Sequence, residues 1–191
     1  MKGVVLITGV SAAGKSTVAQ ALAERLPRSA HVRGDTFRRM VVNGRADMTP
    51  DSADSAGSPD SADESVRQLH LRYRIAATAA DMYFDAGFTP IVQDVIIGPD
   101  LERFTKLVHS RPLHVVVLVP DPAAVELRER ARAKTGYGNG WTIAQLDAVL
   151  REETPRIGLW LDTSRQRVEE TVAEILSRME EARIPPDPRL T

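Results

Sequence analysis

Hydrophobic residues recur along the chain in two alternating patterns, as short, largely apolar runs and at spacings of three or four. The runs predict strands covered on both faces, at residues 4–7, 90–97, 113–119 and 157–161, and residues 30–33 are predicted as a further short strand. The spacings predict amphipathic helices over residues 17–26, 64–86, 100–109, 123–133 and 165–179, with shorter helices capped by Thr36 and Thr142. This alternation predicts an α/β fold, a five-stranded parallel sheet with helices on both faces.

Three segments interrupt these patterns within what we interpret as a single domain, residues 1–191. Residues 47–65 are rich in Asp, Ser and Ala and have little to bury, which predicts a long low-complexity loop. That loop is either a flexible connector or a substrate lid. Glycines cluster at residues 136–140, so we predict a mobile lid over about residues 128–142, and residues 184–191 are predicted to form a polar, proline-rich tail.

The segment that follows the first predicted strand matches the pattern GxxxxGK followed by Ser or Thr. In such a P-loop, backbone N–H groups and a helix N-terminus bind polyphosphate, a lysine reaches the outer phosphates, and a hydroxyl binds Mg²⁺. The lysine is Lys15, a predicted catalytic group, and the metal-binding hydroxyl is Ser16. The predicted nucleotide-binding residues of the loop are Gly9, Ser11, Ala12, Ala13, Gly14, Lys15, Ser16 and Thr17.

Two aspartates follow other predicted strands, at the sheet edge where ligands bind in open α/β folds. Asp35 is predicted to be catalytic, accepting a proton from an attacking hydroxyl or orienting it; the alternatives are a helix cap or a contact with the metal's water. Asp94 is a candidate metal or substrate group, since it follows an apolar run that Gln93 interrupts. Its simplest alternative is a hydrogen bond at the strand end.

Arg128 and Arg132 share one face of the helix that precedes the glycine-rich segment. They are candidate catalytic groups for stabilising the transferring phosphoryl group, although arginines on helices are commonly solvated. Tyr137 and Trp141 either cover a bound base or anchor the loop to the core.

Composition narrows the possible partners. The chain of 191 residues has a net charge of −1 and no cysteine. We therefore expect neither nucleic-acid nor membrane binding, no thiol chemistry, and a cytoplasmic location. The four histidines lack metal-ligand spacing, and the oligomeric state is left open.

Taken in order, these motifs resemble those of small P-loop kinases, and particularly of chloramphenicol phosphotransferase and its relatives. The resemblance runs through most of the chain, from the P-loop and Asp35 through residues 91–98 and 128–132 to Thr163. It implies that Asp35 activates the acceptor hydroxyl and that Arg128 and Arg132 serve the nucleotide phosphates. It also implies that Thr163 and Ser164 lie near the adenine.

The predicted function is therefore that of a Mg²⁺-dependent kinase that transfers the γ-phosphate of ATP to a hydroxyl of a small molecule, an antibiotic or another metabolite being a candidate. A nucleoside, nucleotide or sugar-acid kinase is the nearest alternative. An NTP-hydrolysing regulatory switch is an alternative from another class.

Overall fold

The strands and helices alternate along the chain in this computed structural model, which describes residues 2–53, 63–131, 137 and 140–185. The strands are β1 (Val4–Thr8), β2 (Ser29–Arg33), β3 (Thr89–Gln93), β4 (Leu113–Leu118), β5 (Leu159–Leu161) and β6 (Arg183–Ile184). The helices are α1 (Lys15–Arg25), α2 (Gly34–Met40), α3 (Pro50–Ala53), α4 (Glu64–Asp85), α5 (Asp100–Leu107), α6 (Pro122–Arg130), α7 (Ile143–Ala148) and α8 (Val168–Ser177). A π-helical turn, Val149–Glu153, extends α7.

The predicted fold class is confirmed. Five parallel strands lie in the order β2-β3-β1-β4-β5, and β6 adds to β4 in the antiparallel direction. Every residue of β1, β3 and β4 is buried, because α1 packs with α8 and α4 packs with α5 against the sheet. In this order β1 lies between β3 and β4, so the loops that leave β1 and β3 emerge side by side.

Several boundaries differ from the prediction. β3 ends at Gln93, because the apolar segment beyond it is buried as a loop: the Thr8 hydroxyl donates to the Ile96 carbonyl oxygen at 2.7 Å and accepts from the Ile96 N–H at 2.9 Å. The predicted capping role of Thr36 is wrong, since α2 begins at Gly34 directly after β2. The predicted cap at Thr142 is confirmed, with Gln145 completing a capping box.

Two short elements were absent from the prediction. Pro50–Ala53 forms α3 inside the predicted low-complexity loop, and Ile184, predicted as part of the tail, belongs to β6. Residues 54–62 and 186–191 lie outside the described part of the chain. Within that part, no helix has both the length and the hydropathy needed to cross a membrane.

Candidate active site

The P-loop joins β1 to α1 and depends on two glycine backbones. A side chain at Gly9 would place its Cβ 2.5 Å from the carbonyl oxygen of Leu118, so only glycine lets the loop pass this close to β4. Gly14 has a φ of 97° and precedes the first helical residue, Lys15. Lys15 is nearly buried, and its Nζ donates to the carbonyl oxygen of Val10 at 2.6 Å.

Ser16, the predicted metal-binding hydroxyl, contacts the end of the neighbouring strand. Its hydroxyl donates to Oε1 of Gln93 at 2.8 Å. Gln93 is buried and lies in register with Ile7 of β1. The structure therefore brings an exposed hydroxyl and an amide oxygen together at the base of the P-loop. Sequence reasoning missed Gln93, although its interruption of an apolar strand was a signal.

Asp94 directs its carboxylate to an arginine that the prediction did not single out. Arg72 of α4 donates from Nε and Nη2 to the two carboxylate oxygens, at 2.7 and 2.5 Å. Both side chains are largely buried. Burial opposes the charge of Arg72, but Asp94 outweighs that cost, so the pKa of Arg72 is raised.

The carboxylate of Asp94 also lies against the backbone of Gly34. A Cβ at Gly34 would come within 1.9 Å of Oδ2 of Asp94, so a larger residue here would displace the carboxylate. The ion pair thus links α4, the end of β3 and the start of α2. The predicted role of Asp94 toward metal or substrate remains a prediction.

Asp35 lies in the first turn of α2, and its side chain is 47% exposed. Arg39 lies 3.2 Å from one carboxylate oxygen and Arg38 lies 3.7 Å from the other. Arg38 makes its closer contacts with Asp47, donating from Nε at 2.7 Å and lying 2.6 Å away through Nη2. The carboxylate of Asp35 is therefore accessible and lies beside the charged side chains of Arg38 and Arg39, the first of which is paired with Asp47.

Arg128 joins the P-loop to the loop that follows β5. It donates to the carbonyl oxygen of Ala13 at 3.3 Å and to that of Thr163 at 2.5 Å. The hydroxyl of Thr163 is buried and has no hydrogen-bond partner among the described residues. The second predicted arginine, Arg132, lies outside those residues.

The two aromatic residues of the predicted lid contact opposite sides of the site. Tyr137 packs on the core, and its hydroxyl donates to the carbonyl oxygen of Ser11 at 2.9 Å. Trp141 donates from Nε1 to the carbonyl oxygen of Met48 at 3.1 Å, on the segment that follows α2. The mobility of this segment remains a prediction.

One cleft of about 1820 Å³ collects these groups. It is lined by the predicted residues Ser11, Ala12, Ala13, Gly14, Lys15, Ser16, Thr17, Asp35, Asp94, Arg128 and Thr163. Gly9 is not part of the lining. Arg38, Arg72, Gln93 and Trp141 line it too. A volume beyond the roughly 300–1,000 Å³ of ordinary ligand pockets can accommodate a nucleotide and a second small molecule together.

The P-loop follows the central strand of the parallel sheet and opens into a cleft whose second wall carries carboxylates. The AAA_33 family, an AAA domain, matches residues 4–155. The chain belongs to this family. Its predicted likeness to small P-loop kinases is confirmed at the level of the fold by the solved structures below. A search of curated proteins found no significant match.

Solved structures show the same fold at low sequence identity. A sugar kinase from Janibacter sp. HTCC2649 is 19% identical, with a TM-score of 0.65 over 95% of this chain and 96% of its own. The Deinococcus radiodurans tunicamycin resistance protein is 16% identical, with a TM-score of 0.62 over 97% and 100%. The Mycobacterium tuberculosis APS kinase, in complex with AMPPNP and APS, is 19% identical, with a TM-score of 0.61 over 94% and 98%.

Proposed function

We propose that the protein is a Mg²⁺-dependent phosphotransferase that moves the γ-phosphate of ATP to a hydroxyl of a small molecule. The observation that carries the proposal is that one and the same cleft is lined by the P-loop and by Asp35. Phosphoryl transfer needs a held polyphosphate and an oriented acceptor oxygen in one enclosed space. The kinases of similar fold, whose names include sugar and APS kinases, support the same class of reaction.

On the nucleotide side, the backbone N–H groups of the P-loop hold the phosphates, and Lys15 stabilises charge on the transferring group. Arg128 is positioned between Ala13 and Thr163, where a nucleotide would cross from phosphate to base. The unpartnered hydroxyl of Thr163 fits a polar group of that nucleotide. Arg132 is proposed for the same phosphate-binding role on its sequence spacing of four residues from Arg128 and on the family resemblance.

Magnesium fits the donors at the base of the P-loop. Mg²⁺ in such sites takes most of its ligands from phosphates and water and one or two from the protein. The exposed hydroxyl of Ser16 is the residue that would hold it, and Gln93 orients that hydroxyl. When bound, the ion neutralises charge on the transferring phosphoryl group. The carboxylate of Asp94 is paired with Arg72, so it would interact with the ion or the acceptor only from a position beside the Ser16 hydroxyl.

On the acceptor side, Asp35 accepts the proton of the attacking hydroxyl or fixes that hydroxyl by a hydrogen bond. Its location at the start of α2, directly after β2, keeps the carboxylate at the sheet edge that the P-loop shares. Arg38 and Arg39 lie beside this carboxylate, at 3.7 and 3.2 Å.

The test is a mass-spectrometric screen of hydroxylated antibiotics and metabolites for ATP-dependent and Mg²⁺-dependent gain of a phosphate. We expect Asp35→Ala to keep ATP binding and to lose roughly a hundredfold or more of the transfer rate, in the range typical of a lost general base. Asp85→Ala, at an exposed carboxylate at the end of α4, is the matched control and should leave the rate unchanged.

Two outcomes would contradict this proposal, the first for the role of Asp35 and the second for phosphotransfer itself. An unchanged transfer rate in Asp35→Ala removes Asp35 from the mechanism. ATP hydrolysis without any phosphorylated acceptor, stimulated by a protein partner, favours the regulatory switch.

A further inference from the structure

We propose that the acceptor carries no anionic group and is a neutral or cationic hydroxylated compound with an apolar part. The inference rests on the proposed phosphotransfer. It comes from the distribution of charge in the cleft, whose acceptor half is lined by α2, the segment after it, α4 and α7. Lys15 and Arg128 lie at the nucleotide end, whereas the arginines of the acceptor half are each held by a carboxylate.

Arg38 is the first of these arginines. Its guanidinium contacts Asp47 through two nitrogens, at 2.7 and 2.6 Å, and lies 3.7 Å from Asp35. This is the paired geometry by which an arginine otherwise binds the carboxylate or phosphate of a ligand. An anionic acceptor that used Arg38 in this way would have to displace Asp47.

Arg72 is paired with a carboxylate in the same way, and its ion pair is more deeply buried. It contacts Asp94 through two nitrogens, and the pair is nearly inaccessible to solvent, with side-chain exposures of 14% for Arg72 and 3% for Asp94. Gly34 leaves just enough room for the carboxylate, which fixes its position. Releasing Arg72 for a ligand would leave a buried carboxylate without its counter-ion.

Among the side chains that line this half, carboxylates outnumber arginines. Outside the lining, Arg39 lies 3.2 Å from Asp35 and Arg45 lies 3.8 Å from Asp47. Asp35, Asp47 and Asp94 line it together with Arg38 and Arg72. Glu153 lines the cleft as well, is exposed, and has no basic side chain of the described residues within ion-pair distance. Asp100 also lines the cleft, and it is already paired with Arg103. A ligand anion therefore finds the arginines of this lining, Arg38 and Arg72, already paired, and it meets the carboxylate of Glu153.

Apolar side chains also line the acceptor half. They are Phe37, Val41, Met48, Leu69, Trp141 and Leu146. Such a surface favours an aliphatic or aromatic part of the acceptor through burial of apolar area. Like charges brought together across a binding site weaken binding and exclude wrong partners. The combination selects an amphiphilic alcohol, uncharged or positively charged, over a sugar acid or a nucleotide.

The experiment uses substituted 2-phenylethanols in matched triplets that differ only in carrying a carboxylate, a carboxamide or an aminomethyl group. Binding to the full chain is measured by ligand-observed NMR in the presence of Mg²⁺ and a non-hydrolysable ATP analogue. We expect the neutral and cationic members to bind at least about tenfold more tightly than the carboxylates, because of the like-charge contacts. Equal or tighter binding of the carboxylates overturns the inference, and so does the absence of any neutral or cationic binder.

A substitution tests whether the ion pair between Arg38 and Asp47 causes the preference for neutral and cationic ligands. Asp47→Asn removes the partner of Arg38, so we expect the carboxylate members to gain about tenfold in affinity relative to their neutral partners. Glu181→Gln removes one of the two carboxylate partners of Arg178, outside the cleft lining, and should leave the preference unchanged. An unchanged preference in a folded Asp47→Asn variant contradicts the assignment to Arg38.

Phosphate transfer on the same panel separates this inference from the proposed function. Binding of neutral and cationic members without transfer to any of them contradicts the phosphotransferase and leaves the charge preference standing. Preferential phosphorylation of the carboxylates contradicts the charge preference and leaves the phosphotransferase standing.

Discussion

Gln93 shows how much a single polar side chain can change the interpretation of a strand. It lies in register with Ile7 on one side and Arg33 on the other, and it accepts the hydroxyl of Ser16. In the sequence it is simply an interruption between Val92 and Asp94. A buried amide must satisfy its hydrogen bonds, and the partner that does so is 77 residues away in the chain. That partner cannot be identified from local sequence.

His31, on β2, is a second polar residue of this region, and its surroundings change its pKa strongly. Burial, reinforced by the charge of Arg33, lowers its pKa from 6.5 to about 4, while a hydrogen bond with Gln93 acts in the opposite direction. Its Nδ1 lies 2.9 Å from Oε1 of Gln20. The neutral form of His31 is therefore favoured by the folded state.

We predict that this histidine makes the protein less stable as the solution is acidified. Below pH 6.5 the unfolded state binds a proton at His31, and the folded state does not do so until about pH 4. The free energy of unfolding therefore falls as the pH decreases between these values. His31→Gln should reduce that fall, measured by chemical denaturation over this range.

His109→Gln is the matched control, because the side chain of His109 is 84% exposed. It should retain the full loss of stability on acidification. Identical pH dependence in the wild type and in His31→Gln would show that His31 does not contribute.

The sequence pattern correctly predicted the helices and strands with strong periodicity. It failed where side-chain contacts determine the end of an element. The buried run of β4 and the long amphipathic α4 were predicted within one residue at each end. The end of β3 was predicted wrongly. The hydroxyl of Thr8 forms hydrogen bonds with the backbone N–H and carbonyl oxygen of Ile96, which in a longer strand would pair with a neighbouring strand. The start of α2 was missed because no capping side chain marks it.

Helix α4 provides a direct comparison of a buried and an exposed ion pair. Arg72 pairs with the buried Asp94, and Arg67 pairs with the exposed Glu64 one turn away. We predict that Arg72→Met lowers the free energy of unfolding by about 3–5 kcal/mol, because it leaves a buried carboxylate unpaired. Arg67→Met should change it by less than about 1 kcal/mol.

Denaturant unfolding of both variants measures the difference. Similar stabilities for the two would contradict this prediction and would mean that α4 does not depend on this contact for its attachment to β3.

In the whole molecule, the P-loop half of the site was predictable and the acceptor half was only partly so. The P-loop carries a fixed pattern of glycine, lysine and hydroxyl, whose chemistry requires those residues at that spacing. The acceptor half is formed by pairs such as Arg72 with Asp94, 22 residues apart, and Trp141 with Met48, 93 residues apart. Such pairs follow from tertiary packing. The expected cytoplasmic location remains a prediction.

Nucleotide binding should stabilise the entire domain, because the P-loop joins β1 and α1 of the central sheet. At a Mg²⁺-ATP concentration of about 100 times Kd, linkage contributes about 2.7 kcal/mol, which raises Tm by about 5–11 °C in a chain of this size. Lys15→Ala should show a markedly smaller increase in a thermal-unfolding assay.

Lys106→Ala is the corresponding control, since Lys106 is a half-exposed lysine of α5 paired with Glu102. It should show the wild-type increase. Equal increases in both variants would contradict the assignment of Lys15 to the nucleotide.

The two-residue strand β6 has a consequence for self-association. β4 is paired with β1 along its length and with β5 only over Val116–Leu118, so Leu113 and His114 would otherwise leave one backbone edge open. β6 pairs with these two residues, and Val115 donates its N–H to the carbonyl oxygen of Ala182. An open edge of a buried apolar strand is a template for pairing with another chain. The short strand after α8 therefore protects the centre of the sheet against aggregation.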